Sequence, residues 1–164
     1  DELFYAVRHL KKENENFVLD LVGFFEDEYK EQVKELEKHS IAHFYGFQSD
    51  PRPFYIEADC VVLPSYHEGM SNVLLEAAAT GRPVITSNIP GCRESVENGK
   101  SGLLVEVKNK EMLYDAMKEM LHCSREEREQ MGQAGREKME REFRKEVVVE
   151  KTVQSLREDE KRDF

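Results

Sequence analysis

Residues 64–91 read PSYHEGMSNVLLEAAATGRPVITSNIPG, and their reading decides the fold. Just ahead of them, Cys60-Val61-Val62-Leu63 is a short apolar run without alternation, the pattern of a strand covered on both faces. It stops at Pro64. A loop of small and polar residues follows, with Ser65, Glu68, Gly69 and Ser71. A helix is expected to start near Ser71-Asn72 and to stop at Gly81, a residue suited to the left-handed position after a helix, with Pro83 beyond it. Pro83-Val84-Ile85-Thr86 reads as the next strand. Such a unit builds parallel sheet, and its loop lies at the carboxyl end of a strand, where open α/β sheets take their ligands.

Working outward, Phe17–Val22, Ala42–Tyr45 and Gly102–Val105 are further apolar runs, with helix-length segments between most of them. The pattern predicts an α/β fold: a Rossmann-like open parallel sheet with helices on both faces. Asp50-Pro51 places an N-cap before a first-turn proline, and Ser124-Arg125-Glu126-Glu127 fits a capping box. Met112, Leu113, Ala116, Met117, Met120 and Leu121 form a core-facing stripe at helical spacing. Beyond Ser124 the chain is helical and charged. Phe143, Val147, Val153 and Leu156 are expected to seat a last helix, and Arg157–Asp163 to be solvated. These signals divide the chain into a domain over 1–142 and a helix with a charged tail over 143–164. The chain opens inside an amphipathic helix (Leu3, Phe4, Val7, Leu10), so a first strand and its loop are expected to be missing upstream.

Composition narrows the partners. The 164 residues suit one domain with a real core. Net charge is −10, a field that repels phosphate backbones and anionic membranes, so nucleic acid is not an expected partner. An anionic ligand must then be held locally, by backbone N–H groups. Cys60, Cys92 and Cys123 are odd in number and form no C-x-x-C, which reads as free thiols in a reducing cytoplasm. The five histidines lack zinc-site spacing, so no metal is expected. No apolar run approaches a membrane span.

The chemistry concentrates in the quoted stretch. A helix N-terminus offers free N–H groups and the positive end of the helix dipole, a seat for a diphosphate. Gly69 has no side chain, so a ligand can approach the backbone closely. Val73, Leu74, Leu75, Ala77, Ala78 and Ala79 make the helix apolar nearly all round, which predicts a buried helix. Asn72, Glu76 and Thr80 recur every fourth residue as one polar stripe. A buried carboxylate needs partners. Vicinal hydroxyls of a ribose or hexose supply them, and Glu68 in the loop is a second acid for a hydroxylated ring. Two carboxylates with a diphosphate seat between them is the layout of a nucleoside-diphosphate sugar site. Each residue also has a plainer reading: Glu76 as half of a structural ion pair, Glu68 as a loop acid, His67 as a surface histidine.

Glu68-x7-Glu76, within PSYHEGMSNVLLEAAATGRPVI, resembles the E-x7-E signature of glycosyltransferase family 4, retaining enzymes of the two-domain GT-B fold. Phe44-Tyr45-Gly46-Phe47, the run Ile56–Ser65, Ile89-Pro90-Gly91-Cys92-Arg93-Glu94 and Glu97–Val105 are similar to other elements of that family. The wording I-P-G-C-R-E resembles bacterial enzymes of capsule, exopolysaccharide or lipopolysaccharide synthesis. The resemblance implies that Glu76 binds the ribose hydroxyls and that Glu68, the catalytic-site acid, contacts and orients the donor sugar. It places the backbone of Gly69, Met70, Ser71, Asn72 and Val73 along the sugar–diphosphate, with Gly46 and Phe47 bordering the base. It implies no cofactor and no metal, and a front-face mechanism that retains anomeric configuration. It further implies a partner N-terminal acceptor-binding domain in the full-length enzyme and a cytoplasmic location, peripheral at the inner face of the cell membrane through that other half.

The departures are specific. The family's diphosphate-clamping arginine and lysine, on the loop after the first strand of this domain, have no counterpart here. The family's glycine-rich turn reads here as Leu21-Val22-Gly23-Phe24-Phe25, with only its first glycine. Weak nucleotide binding and no turnover by this chain alone are expected. A GT-B-fold sugar-nucleotide epimerase and a non-catalytic GT-B-derived interaction module are the alternatives. A response-regulator-like domain would need an acidic cluster after the first strand.

Overall fold

In the computed structural model, which describes residues 1–24 and 26–159, each expected strand is present within two residues of its apolar run. The strands are β1 (Leu19–Val22), β2 (Ala42–Gly46), β3 (Val61–Leu63), β4 (Val84–Ser87) and β5 (Gly102–Val105). The helices are α1 (Glu2–Lys12), α2 (Lys30–Lys38), α3 (Arg52–Glu57), α4 (Asn72–Ala79), α5 (Lys110–His122), α6 (Arg125–Glu142) and α7 (Lys145–Asp159). Every pairing between these strands is parallel, as crossovers through helices require. The ladder is in two pieces: β1 pairs with β2, while β3, β4 and β5 pair in that order. Phe25 and the tail residues 160–164 lie outside the described residues, so the expected solvated tail is described only as far as Asp159.

All four residues of β4 are buried, since it has a strand on each side and helices on both faces. Successive side chains of a strand point to opposite faces. Ile85 accordingly joins a cluster with Val7 and Leu10 of α1 and with Leu113 and Met117 of α5. Val84 joins a second cluster with Leu74 and Ala77 of α4, Tyr55 of α3, Cys92 and Val96. The seam between α1 and α5 is tied at its rim, where the Tyr114 hydroxyl donates to Glu13 at 2.6 Å and Lys118 pairs with the same carboxylate.

Local sequence explains the element ends. The capping box of α6 forms as expected: Ser124 Oγ accepts from Glu127 N, and Glu127 Oε2 accepts from Ser124 N. α4 ends in paired bonds, Gly81 N–H to the Ala78 carbonyl and Arg82 N–H to the Ala77 carbonyl, around a left-handed Gly81. Gly132, in mid-α6, lies against that turn. A Cβ there would stand 1.9 Å from the Gly81 carbonyl oxygen, so the two backbones touch. At α3 the cap shifts by one residue: Pro51 is the N-cap, and Asp50 takes the Arg52 N–H at 3.1 Å.

Three expectations are corrected. α4 is not buried all round: Leu74, Ala77 and Ala78 are buried, whereas Asn72, Val73, Glu76 and Ala79 are exposed. Its apolar composition misled because alanine is small enough to face either way. Met112 is 38% exposed in the first turn of α5, where its sulfur accepts the Glu106 N–H, so it does not face the core. α7 forms, but Val153 and Leu156 stay exposed and none of its described side chains is fully buried. Phe143 caps the end of α6 instead of joining α7.

Candidate functional site

β3 delivers the chain to Pro64, and Thr86 Oγ1 of β4 donates to the Leu63 carbonyl at 2.8 Å, fixing the point of departure. The loop turns tightly: Ser65 N bonds the Leu63 carbonyl and Ser65 Oγ donates to the His67 carbonyl at 3.1 Å. A second loop, after β4, is laid directly on the first. Gly91 (φ +87°) passes so close that a Cβ would fall 1.6 Å from the Gly69 carbonyl oxygen and 2.7 Å from that of Glu68. Ser71 N–H donates to the Gly91 carbonyl at 3.0 Å, and Gly91 N–H donates to Glu94 Oε2 at 2.8 Å. The two loops are thereby clasped at the start of α4.

The structure brings Glu68, Gly69, Met70, Ser71, Asn72 and Val73 together at this clasp. Ser71 is the extended N-cap residue, and its buried side chain makes no capping bond. The first-turn N–H groups of α4 therefore have no side-chain cap, and the positive end of the dipole is open. Ser71 N–H itself is committed to Gly91, which leaves the groups that follow it to meet a ligand. Gly69, Met70, Asn72 and Val73 are exposed, and Glu68 is half-buried. The Glu68 carboxylate lies near Cys92: burial, followed by the charges of Glu68 and Glu94, pushes the Cys92 thiol above its ordinary range.

Glu76 lies on the exposed side of α4, one turn beyond the helix start. No ion pair to it occurs among the described residues, so the reading as half of a structural ion pair finds no partner there. Its neighbour is Tyr55, a buried residue of α3. Burial, then the charge of Glu76 and a hydrogen bond to it, push the Tyr55 hydroxyl up to about 12. Arg52, fastened at 2.7 Å to Asp50, also feels the Glu76 charge. On its other side Glu76 borders a cleft of about 430 Å³ between α4 and α6, lined by Leu75, Ala79, Met139 and Phe143 with Arg136 and Arg144.

Gly46 ends β2 at φ +67°, and Phe47 beyond it is 63% exposed. They reach the rest of the site through α3: Tyr45 of β2 meets Phe54 edge-on at 4.9 Å, and the next residue, Tyr55, faces Glu76. Sequence reasoning passed over Tyr55 and the aromatic partner of Phe47, which is Phe24, stacked on it at 5.2 Å. A signal was available for Phe24, since a Gly-Phe dipeptide stands at the carboxyl end of both β1 and β2.

Comparison with known proteins matches the family described as glycosyl transferases group 1 over residues 1–138. The chain is 33% identical over 102 residues to the capsular polysaccharide biosynthesis glycosyltransferase CapM of Staphylococcus aureus, covering 62% of this chain and 27% of that protein. It is 30% identical over 113 residues to the lipopolysaccharide core biosynthesis glycosyltransferase LpsE of Rhizobium meliloti, covering 69% and 33%. It therefore spans about a quarter to a third of the length of these curated relatives. Among solved structures, sucrose-phosphate synthase from Thermosynechococcus elongatus superposes with a TM-score of 0.78 at 26% identity, over 94% of this chain and 41% of that one. A parallel α/β domain with a clasped strand–loop–helix site, matched by the family over most of its length, belongs to the glycosyl transferases group 1.

Proposed function

We propose that this chain is the donor-binding half of a retaining family 4 glycosyltransferase of the GT-B kind. The full enzyme moves a hexose from a nucleoside-diphosphate sugar to a glycan or lipid-linked acceptor in bacterial polysaccharide synthesis. The observation that carries this reading is the pairing of an uncapped α4 N-terminus with two acids, Glu68 in the clasped loop and Glu76 on the open side of the helix. Anion and hydroxyl recognition lie side by side, as a sugar nucleotide needs. The acceptor class is supported by the names of the two relatives, capsular and lipopolysaccharide core transferases.

In this reading Glu76 accepts hydrogen bonds from the ribose hydroxyls. The N–H groups of Asn72 and Val73 at the start of α4, beside the exposed backbone of Gly69 and Met70, line the diphosphate, while Ser71 N–H stays on the Gly91 carbonyl. Glu68 orients the donor sugar. The bond from the anomeric carbon to the diphosphate breaks as the acceptor oxygen bonds the same face. The acceptor's proton passes to the departing diphosphate oxygen. No metal takes part, so a chelator leaves binding unchanged. The acceptor itself is held by an N-terminal domain of the full-length enzyme, at the inner face of the membrane.

Calorimetric titration of the chain with UDP, GDP and their sugars tests the reading. Binding is expected to be weak, with no sugar transfer. Glu76→Ala is expected to weaken it at least about tenfold, about 1.4 kcal/mol, with an unchanged circular dichroism spectrum. Unaltered affinity in that variant would overturn the assignment of Glu76, and robust transfer by the chain alone would overturn the division of labour.

A further inference from the structure

Gly91 is held on both sides of its Cα. Its N–H donates to Glu94 Oε2 at 2.8 Å, and its carbonyl accepts the Ser71 N–H at 3.0 Å. These two bonds fix the two peptide planes that meet at Gly91. They matter more here than at another residue type, because glycine has the freest backbone and this one stands at φ +87°. Glu94, by contrast, springs from a firm base. It lies in a single turn of 3-10 helix, Arg93–Ser95, in which Ser95 is buried, between the buried residues Cys92 and Val96. Ser95 Oγ donates to the Cys92 carbonyl at 2.6 Å, and Arg93 N–H donates to the Ile89 carbonyl at 3.0 Å. A well-seated carboxylate thus reaches back to a glycine whose own backbone is free to turn.

By charge alone, Glu94 is badly placed. The charges of Glu68 and Glu94 both reach the Cys92 thiol, so Glu94 stands beside the clasp as a second negative group. A carboxylate near a diphosphate repels it. Glu94 Oε1 meets Arg93 at 3.7 Å, with both side chains exposed, a contact of little weight. What Glu94 gives the site must then be the bond to Gly91. We propose that Glu94 is a positioning residue for the diphosphate: it acts through Gly91, as a hydrogen-bond acceptor and not as a charge, to hold Ser71 where the Asn72 and Val73 N–H groups face the ligand. The proposal rests on the donor-binding reading above and extends it. Ser71 is the N-cap of α4, so the anchor of its N–H sets where the helix begins and where its free N–H groups lie. Without Glu94 the Gly91 peptides are free to swing, the Gly91 carbonyl leaves Ser71, and the first turn of α4 loses its hold on the second loop.

The test titrates the 164-residue chain and its Glu94→Ala and Glu94→Gln variants with inorganic pyrophosphate and UDP, and follows amide hydrogen exchange at Ser71. Both substitutions remove the charge, and only Gln keeps an oxygen that can accept the Gly91 N–H. Glu94→Ala is expected to weaken pyrophosphate and UDP about tenfold and to quicken exchange at Ser71, with exchange in β4 unchanged. Glu94→Gln is expected to keep the Ser71 amide protected and to bind pyrophosphate about threefold more tightly than the parent, because a negative charge has left the seat. If Glu94→Ala melts too low to titrate, Glu94→Gln still decides, since a loss of pyrophosphate affinity in that variant overturns the proposal. Equal affinity in Glu94→Ala and the parent, or an equally protected Ser71 amide, overturns it as well and leaves the diphosphate seat standing. A parent chain that binds neither pyrophosphate nor UDP overturns the donor-binding reading itself.

Discussion

Gly91 holds the site in a way no other residue type can. A Cβ there meets the Gly69 carbonyl at 1.6 Å, so Gly91→Ala must part the two loops. Thermal melting should show a lowered midpoint, and calorimetry a loss of nucleotide affinity, whereas Gly99→Ala, also at positive φ but with open space around its Cβ, should lower only the first. Tyr55 makes a pH prediction. Its folded hydroxyl titrates near 12, above the ordinary value of about 10, so between these two the unfolded chain releases its proton first. Stability contributed by this group is complete below about pH 10 and is lost as pH rises toward 12. In alkaline denaturation, Tyr55→Phe should fall less steeply over that window than the parent chain. The candidate site was legible at this scale as residue types in one place: Glu68, Gly69 and Glu76 stand out as acids and a glycine around a helix start. Burial was less legible. Glu76 was read as an acid in an oily helix and lies on that helix's open face, because alanine signals neither inside nor outside.

At the level of elements, the seam between α1 and α5 should be acid-sensitive. Hydrogen bonds from Lys118 and Tyr114 hold the Glu13 carboxyl below the ordinary carboxylate range, so the folded chain binds fewer protons there than the unfolded chain. That contribution is present above about pH 4.3 and fades as pH falls through the lowered folded value. Hydrogen exchange of the first helix should quicken in acid, and Glu13→Gln should remove the dependence. α6 gives a prediction of opposite sign to helix propensity. Alanine is about 1 kcal/mol better than glycine in a helix interior, yet Gly132→Ala should destabilise the chain, by about 2 kcal/mol or more in urea unfolding, because the new methyl would lie 1.9 Å from a carbonyl. The strands and most helix limits could be read because apolar runs, caps and prolines are local signals. The contact of α6 with α4 could not, since Gly132 in a charged helix looks like a weak point until the Gly81 turn is seen beside it. α7 was readable as a helix but not as an exposed one, because its valines report periodicity and not the presence of a partner.

On the scale of the whole molecule, net charge and site pull in different directions. A chain of charge −10 repels an anionic nucleotide at long range, while in the proposed reading bare N–H groups attract it at contact. Added salt screens the repulsion over about 10 Å at 0.1 M and weakens contact bonds less. Raising sodium chloride from low to physiological strength should therefore strengthen or preserve nucleotide affinity, the reverse of a basic site, and titration at two ionic strengths reads the sign. The parallel α/β class was legible because five short runs share one pattern; the division of the ladder into β1–β2 and β3–β4–β5 was not, since apolar runs carry no statement of which strands are neighbours. The abutment of Gly132 on Gly81 has a mechanical consequence. With no side chain between them to act as a cushion, the fourth and sixth helices behave as one strut, and tension applied at residue 142 would arrive at residue 81 without slack. Pulled from that end in an optical trap, the pair should detach in a single rip.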